Sequence, residues 1–425
     1  MSDQLKVLSL NCWGLAIVSK NRDLRLKAIA NVLSGQDYDL ITLQEVWVQT
    51  DFQRIRHAVK DTLPHSKYFY SGVLGSGLAI LSKFPILSTQ YHRYHLNGKP
   101  LMFIHGDYYV GKGVGSIVVD HPTVGLLEVF NTHLHASYSP RHQYNAHRAA
   151  ECWQLATLLR NSAAMGRQIV MSGDFNSVPT SINYQLICDH GCMTDSWLEL
   201  HGEPDPTKFD VDTMTQEAYT QYFGYTCNSP FNTFSRYYQS DIHTASAKRL
   251  DYIFYRHTPQ LKCIASNVVF TNLIPDSNQS YSDHFGVMSI FQLSLHADLS
   301  NLNKTQLKLS TVDAILEELR KEQTYAKYQS RLLLYACLVC LVLQMVLYII
   351  NIVLPTTLSQ HGSLPIVLVT VVVGLLMNIV SVLLPVCLIV GFVFGHTEQR
   401  TLSQFIDEIE TFRYQLEKAP VLLIK

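Results

Sequence analysis

Charge is what this sequence has least of. Of 425 residues, 33 are Lys or Arg and 34 are Asp or Glu, which is 16% charged and a formal net charge of -1. Soluble domains average about 25% charged residues. The near-zero balance excludes the broad basic excess typical of nucleic-acid binders. The shortage is local: from Leu332 to Gly395, 64 consecutive residues contain no Asp, Glu, Lys or Arg. Disulfide spacing is missing as well. The nine Cys are an odd number, three of them (Cys337, Cys340, Cys387) in the uncharged stretch and the rest scattered. Reduced thiols of a cytosolic chain are the expectation. The start, Met1-Ser-Asp-Gln-Leu-Lys6, lacks the basic and apolar regions of a signal peptide, so none is expected. An apolar fraction of 47% excludes a disordered chain.

The uncharged stretch holds two runs, Leu332 to Leu354 and Leu364 to Phe394, separated by a polar turn. Each exceeds the roughly 20 apolar residues that cross a bilayer. Pro385 is expected to kink or shorten the second run. Lys321, Lys327 and Arg331 precede the pair and Arg400 and Arg413 follow it, while the turn has no Lys or Arg. The positive-inside rule then places the flanking segments, both termini included, in the cytosol. Apolar residues at helical spacing bracket the hairpin: Val312, Ile315, Leu316 and Leu319, then Leu402, Phe405, Ile406, Ile409, Phe412 and Leu416. These helices are expected to pack on each other, on the soluble domain or on a second chain, which leaves a homodimer open. The expected organisation is a soluble domain at 1–295, a linker and juxtamembrane amphipathic helix at 296–331, spans at 332–354 and 364–394, and an amphipathic helix and tail at 397–425.

The first 295 residues alternate short strand patterns with helical ones, as a mixed α/β domain does. Asn11, Glu45, His133, Asp174, Asn176, Asp251 and His284 stand at or just past strand ends. Strand ends distant in sequence can converge on one sheet edge. Glu45 closes the apolar strand Leu40-Ile-Thr-Leu-Gln-Glu45, where a carboxylate needs a cation, either an ion-pair partner or a metal. Asn11 alone reads equally as a turn residue. In Ser172-Gly-Asp-Phe-Asn176 the carboxylate and the amide are two apart, so an extended backbone points both to one face. His284, beside Asp283, suits a general base for water, and Asp251 could orient it. His133 and His135 alternate at a strand end without further zinc-spaced ligands, and hard oxygen ligands such as Glu45 favour Mg²⁺.

Together, Leu10-Asn-Cys-Trp-Gly14, Leu43-Gln-Glu45, Ser172-Gly-Asp-Phe-Asn176, Arg249-Leu-Asp-Tyr252 and Ser282-Asp-His284 resemble the motifs of the endonuclease/exonuclease/phosphatase superfamily, in its order. The resemblance implies a DNase-I-like four-layer α/β sandwich, followed here by the two-helix transmembrane hairpin, and Mg²⁺-dependent phosphoester hydrolysis, with Mn²⁺ as a substitute. It makes Glu45 the metal ligand, helped by Asn11, with Asp174 and Asn176 positioning water and phosphate. It makes His284 the base, Asp251 its orienting partner, and His133 the residue that binds or protonates phosphate.

Thr132-His-Leu-His-Ala136 and Gly106-Asp-Tyr-Tyr-Val-Gly-Lys112 are similar to segments of the neutral sphingomyelinase and inositol phosphosphingolipid phospholipase C family. That resemblance implies a membrane-anchored phospholipase C releasing ceramide and a phosphorylated headgroup, with anionic phospholipids as activators and the endoplasmic reticulum or another intracellular membrane as its site. It marks Asp107 and Lys112 as a pair acting on the substrate phosphate or an anionic lipid; a surface salt bridge is the plainer reading. The same segment imitates a nucleotide-binding loop, but Gly113 stands where Ser or Thr should hold Mg²⁺. Leu101-Met-Phe-Ile104 reads as an apolar rim or as core. A lysophospholipid phospholipase C, a membrane-tethered nuclease and a non-catalytic scaffold are the rival readings. The charge balance speaks against the nuclease and the intact set of site residues against the scaffold.

Overall fold

The computed structural model describes residues 3–138, 144–205, 214–239, 246–294, 306–358 and 363–418. The chain divides into two units, the first ending at Thr311 and the second beginning at Val312. Along the first run strands β1 (Gln4–Asn11), β2 (Leu40–Gln44), β3 (His65–Tyr68), β4 (Ala79–Ser82), β5 (Ile86–Arg93), β6 (Gly113–His121) and β7 (Gly125–His133). There follow β8 (Gln168–Asp174), β9 (Thr194–Asp195), β10 (Asp251–Tyr255), β11 (Leu261–Val269), β12 (Leu273–Ile274), β13 (Gln279–Ser280) and β14 (Gly286–Leu293).

Two six-stranded sheets result, in the orders β11-β14-β1-β2-β4-β3 and β5-β6-β7-β8-β10-β9. In each, one central pair is parallel, β1 with β2 and β7 with β8, and the other pairs are antiparallel. The sheets face each other across a core that includes Leu5, Val7, Leu40, Ile117, Leu127, Val129, Val170, Ile253 and Phe291. Helices Arg22–Ser34 and Gln49–Ala58 cover the outer face of the first sheet, against Leu8, Leu10, Ile41 and Leu43. Helix Asn145–Ala164 runs beside β8 on the second. The order helix, sheet, sheet, helix is the four-layer sandwich expected from the sequence.

The strand period of two explains where the polar residues go. The row of β1 that carries Leu5 and Val7 continues with Ser9 and Asn11, and that of β2 carries Leu40, then Thr42 and Gln44. On β7 the row is Leu127, Val129, Asn131, His133, and on β8 it is Val170, Ser172, Asp174. Each row is apolar at one end and polar at the carboxyl end. Cross-sheet hydrogen bonds seal the polar half: Thr42 Oγ1 with Ser172 Oγ at 2.7 Å, and Gln44 Nε2 to Asn131 Oδ1 at 2.7 Å. Buried polar groups placed this way are satisfied and hold the sheets in register.

The second unit is helical. One helix spans Leu309–Leu358 and another Ser363–Leu388, continued by a π-helical turn at Ile389–Phe394 and by helix Gly395–Lys418. Two of these helices are long and apolar enough to cross a membrane. The separate juxtamembrane helix expected within 296–331 is instead continuous with the first apolar run, because no Gly or Pro interrupts Leu309 to Leu354. Residue 295, residues 296–305 of the expected linker, 359–362 of the turn and 419–425 of the tail lie outside the described residues. Pro385 is accommodated within its helix, and the π-helical turn begins four residues beyond it. The two amphipathic faces pack antiparallel on each other. Val312, Ile315, Leu316, Leu319, Leu402, Phe405, Ile406 and Ile409 are buried. Arg413 Nε reaches Asp313 Oδ1 at 2.6 Å, Gln323 Nε2 reaches Ser403 Oγ at 2.8 Å, and Arg320 pairs with Glu410.

Candidate active site

The ends of six strands, β1, β2, β7, β8, β10 and β14, deliver one cluster of side chains. Asn11 ends β1 and its Nδ2 donates to two carboxylates, Glu45 Oε1 at 3.1 Å and Asp174 Oδ2 at 3.0 Å. Asp174 ends β8, pairs in register with His133 of β7 and Asp251 of β10, and accepts the Asn176 N–H at 2.9 Å. His284, just before β14, has Nδ1 2.8 Å from Asp251 Oδ2 and Nε2 3.9 Å from Asp174 Oδ2. His133 Nε2 stands 3.6 Å from the same Asp174 oxygen. A base held by one carboxylate and aimed at another polar group is the geometry of general-base catalysis.

The local backbone is strained where it serves the site. Trp13, Glu45 and Asn176 all have left-handed φ, at 46°, 57° and 46°. Such conformations concentrate where surrounding structure over-determines a functional group. Gly14 lets the chain turn past Glu45: a Cβ there would lie 2.4 Å from the Glu45 carbonyl oxygen. Gly173, at φ 148°, would place a Cβ 2.0 Å from Thr132 O, so the Ser-Gly-Asp motif owes its glycine to the close approach of β7.

Burial governs the electrostatics. It pushes Glu45 up to about 7, helped by the Asp283 charge, and Asp174 up to about 6, helped by Asp251. Asp283 is raised mainly by burial too. His133 is held well below its ordinary value by burial and by Lys112. For His284 burial also opposes the charge, but Cys227, Asp251 and Asp174 outweigh it and hold the imidazole well above its ordinary value. Carboxylates crowded so that they resist ionisation are relieved by a hard divalent cation, so the donor set fits one. Asp174, Asp251 and His284 also bring ligand atoms within 4.8 Å of one another, a group able to hold a metal ion.

The structure adds partners to Asn11 and corrects the surface placement of the Lys112–Asp107 salt bridge. Asn11 gives its Nδ2 to both carboxylates while its Oδ1 accepts from Trp13 N–H at 3.0 Å, so it organises Glu45 and Asp174, and the second lone pair of that oxygen is left for a cation. Lys112 is no surface residue. It is 4% exposed, pairs with Asp107 Oδ1 at 3.0 Å and donates to Leu134 O at 2.7 Å. Asp107 is itself buried and further held by Tyr138 Oη at 2.6 Å. Burial opposes the Asp107 charge, but Lys112 and His135 leave it below the usual carboxylate range. The pair meets the site indirectly, since Leu134 O also accepts from Asn176 Nδ2 at 3.0 Å.

Sequence reasoning missed the residues that hold the cluster. Trp47 Nε1 donates to Glu45 Oε2 at 3.3 Å, and Thr226 Oγ1 accepts the Asp251 N–H at 3.2 Å. Ser282 Oγ donates to Asn11 O at 2.7 Å, tying the His284 loop to β1. Arg25 is fully buried and donates to Lys20 O at 2.8 Å, Cys12 O at 3.0 Å, Trp13 O at 2.6 Å and Tyr281 O at 3.1 Å. Its signal was present: a cation in the buried stripe Arg25, Leu26, Ile29, Leu33.

Residues 8–284 match the Endonuclease/Exonuclease/phosphatase family. An inositol phosphosphingolipids phospholipase C of Schizosaccharomyces pombe is 35% identical over 414 residues, covering 96% of this chain and 94% of that protein. Sphingomyelin phosphodiesterase 2 of Mus musculus is 33% identical over 291 residues, covering 67% of this chain and 64% of that protein. Among solved structures, sphingomyelinase C from Streptomyces griseocarneus is similar at a TM-score of 0.46 and 17% identity, over 67% of this chain and 98% of that one. With its sandwich, its strand-end cluster and these relatives, the chain belongs to the endonuclease/exonuclease/phosphatase family, in its neutral sphingomyelinase and inositol phosphosphingolipid phospholipase C branch.

Proposed function

We propose that the protein is a membrane-anchored, Mg²⁺-dependent phospholipase C that cleaves sphingolipid phosphodiesters to ceramide and a phosphorylated headgroup. The observation that carries the reading is the His284–Asp251 pair aimed at the carboxylate cluster Asn11 holds together. Glu45, half-buried and braced by Asn11 and Trp47, would hold the cation. When bound, Mg²⁺ supplies charge that neutralises the phosphodiester oxygens. His284, its Nδ1 paired with Asp251, would serve as the base. It deprotonates water for in-line attack at phosphorus, Asp251 fixing its tautomer. Asp174 and Asn176 position the water and the phosphate, and His133 donates a hydrogen bond to a phosphoryl oxygen. The leaving ceramide oxygen is protonated from a neighbouring acid. Lys112 acts through its charge, which favours the ionised forms of Glu45 and Asp174.

The two long apolar helices support membrane anchoring, and the Lys and Arg flanks support cytosolic termini and catalytic domain. Endoplasmic reticulum residence, activation by anionic phospholipid and a homodimer through the C-terminal helices complete the proposal. Both headgroup classes named in the relatives, choline and inositol phosphate, are candidates; the near full-length match to the fission yeast protein favours the inositol type. The test is headgroup release from sphingomyelin, inositol phosphoceramide and lyso-platelet-activating factor, with Mg²⁺ or with EDTA. Mg²⁺-dependent release from a sphingolipid is expected. No release from either sphingolipid, or equal release in EDTA, refutes it.

A further inference from the structure

Three loops around Glu45 expose apolar side chains that no fold requirement explains. Ile17 is 97% exposed and Val18 70%, Val73 84% and Leu74 55%, Phe103 66% and Ile104 98%. Single exposed apolar residues are ordinary on a protein surface, but fully exposed Ile and Phe on neighbouring loops are not. The loops are physically joined to the site. The first leaves β1 through Gly14, whose N–H donates to Glu45 O at 2.9 Å. The second returns to β4 past Gly77, whose carbonyl accepts the Val46 N–H at 2.9 Å. The third is docked on the second: Val73 N–H donates to Tyr109 O at 2.7 Å, Tyr109 Oη donates to Pro100 O at 2.6 Å, and the Phe103 and Tyr109 rings stack at 5.6 Å. The apolar tips are therefore carried on a braced frame on either side of Glu45.

Their charge is one-sided. Residues 13–21, 69–78 and 94–106 contain Lys20 and Lys99 and no Asp or Glu. An apolar set with cations and no anions matches the layered chemistry of a bilayer surface, acyl chains beneath anionic and zwitterionic phosphates. We propose that Ile17, Val18, Val73, Leu74, Phe103 and Ile104 form a rim that enters the lipid surface and seats the Glu45 side of the cleft on it. The rim gives the cleft a path for a lipid phosphate to pass from the bilayer without crossing water. This inference rests on the lipid-substrate reading above and names how that substrate is reached.

The full chain, reconstituted in phosphatidylcholine vesicles containing phosphatidylserine and the sphingolipid substrate, provides the test. The Ile17→Ser/Ile104→Ser double variant is expected to lose roughly tenfold or more in kcat/KM on the vesicles, from two lost Ile burials. It is expected to match wild type on a short-chain sphingolipid dispersed as monomers. In parallel, Ile104→Trp is expected to be quenched by brominated acyl chains beyond the wild-type background. Equal vesicle activity, an equal loss on the monomeric substrate, or no added quenching overturns the rim. So does a dimer that the double variant dissolves, formed without quenching. If wild type hydrolyses neither substrate, the enzymatic reading fails, and the quenching still decides the rim by itself.

Discussion

Arg25 offers the sharpest perturbation of the site that leaves every proposed catalytic residue in place. Its guanidinium is fully buried, lies 4.7 Å from the Trp13 ring centroid, and meets four backbone carbonyls. Two of these belong to Cys12 and Trp13, just past Asn11, and one to Tyr281, three residues before His284. Burial depresses its pKa, and the Asp283 charge partly restores it. Arg25→Met removes the donors and leaves four carbonyls facing an apolar side chain. Breaking a buried charged cluster by deleting one partner costs about 3–5 kcal/mol. An unsatisfied buried acceptor alone costs about 1–3 kcal/mol. A loss of about 4 kcal/mol in the stability of the first unit is expected, read by urea unfolding of the detergent-solubilised chain. Below the transition, kcat/KM is expected to fall about a hundredfold, since a displacement of about 1 Å costs that much. Arg25→Lys keeps the charge but cannot reach the same carbonyls with a planar fork, so it restores stability better than turnover. An Arg25→Met protein with an unchanged midpoint and unchanged kcat/KM refutes the clamp.

The other expectations concern charge. Asp251→Asn keeps the shape beside His284 but not the tautomer control, so kcat is expected to drop about 10²- to 10⁴-fold with KM little changed; steady-state kinetics decide it, and a KM-only effect contradicts it. Glu45→Gln removes a carboxylate that burial lifts to about 7. In EDTA at pH 8 the variant is expected to melt above wild type, and added Mg²⁺ to stabilise wild type but not the variant. Glu151, buried behind the site and accepting the His135 N–H at 3.0 Å, is raised by burial from 4.5 to about 8. The folded state then holds a proton that the unfolded chain has released, so its contribution to stability is full below pH 4.5 and is lost as pH rises to 8. The slope is at most about 1.4 kcal/mol per pH unit. Glu151→Gln is expected to flatten that decline in thermal melts taken across the window.

Much of the site was legible because strand geometry exposes it. Ser9 and Asn11, Thr42 and Gln44, Ser172 and Asp174 each continue an apolar row with period two, so the polar end of the interior shows in the sequence. The motifs around Glu45, Asp174, Asp251 and His284 announce residues that the fold then brings together. What stayed hidden depends on pairing across the chain. Nothing in Gly-Asp-Tyr-Tyr-Val-Gly-Lys tells that Lys112 turns inward to Asp107 and Leu134. Nothing in the sequence around Asn11 tells that its amide nitrogen ties Glu45 to Asp174. Arg25 interrupts an apolar stripe, but its carbonyl partners are loops from both ends of the domain. In the second unit the apolar period was readable on both sides of the hairpin, while the fusion of juxtamembrane and apolar helices was not. The absence of a breaker between Leu309 and Leu354 is an easily overlooked signal.

The central claim is that water, activated by His284, attacks phosphorus and expels ceramide. The most direct measurement is hydrolysis of a sphingolipid substrate by the full chain in heavy-oxygen water with Mg²⁺, followed by mass spectrometry of both products. The expected result is one heavy oxygen in the phosphorylated headgroup, unlabelled ceramide, and no product from His284→Ala. Labelled ceramide phosphate with a free headgroup alcohol, or undiminished turnover by His284→Ala, would contradict it.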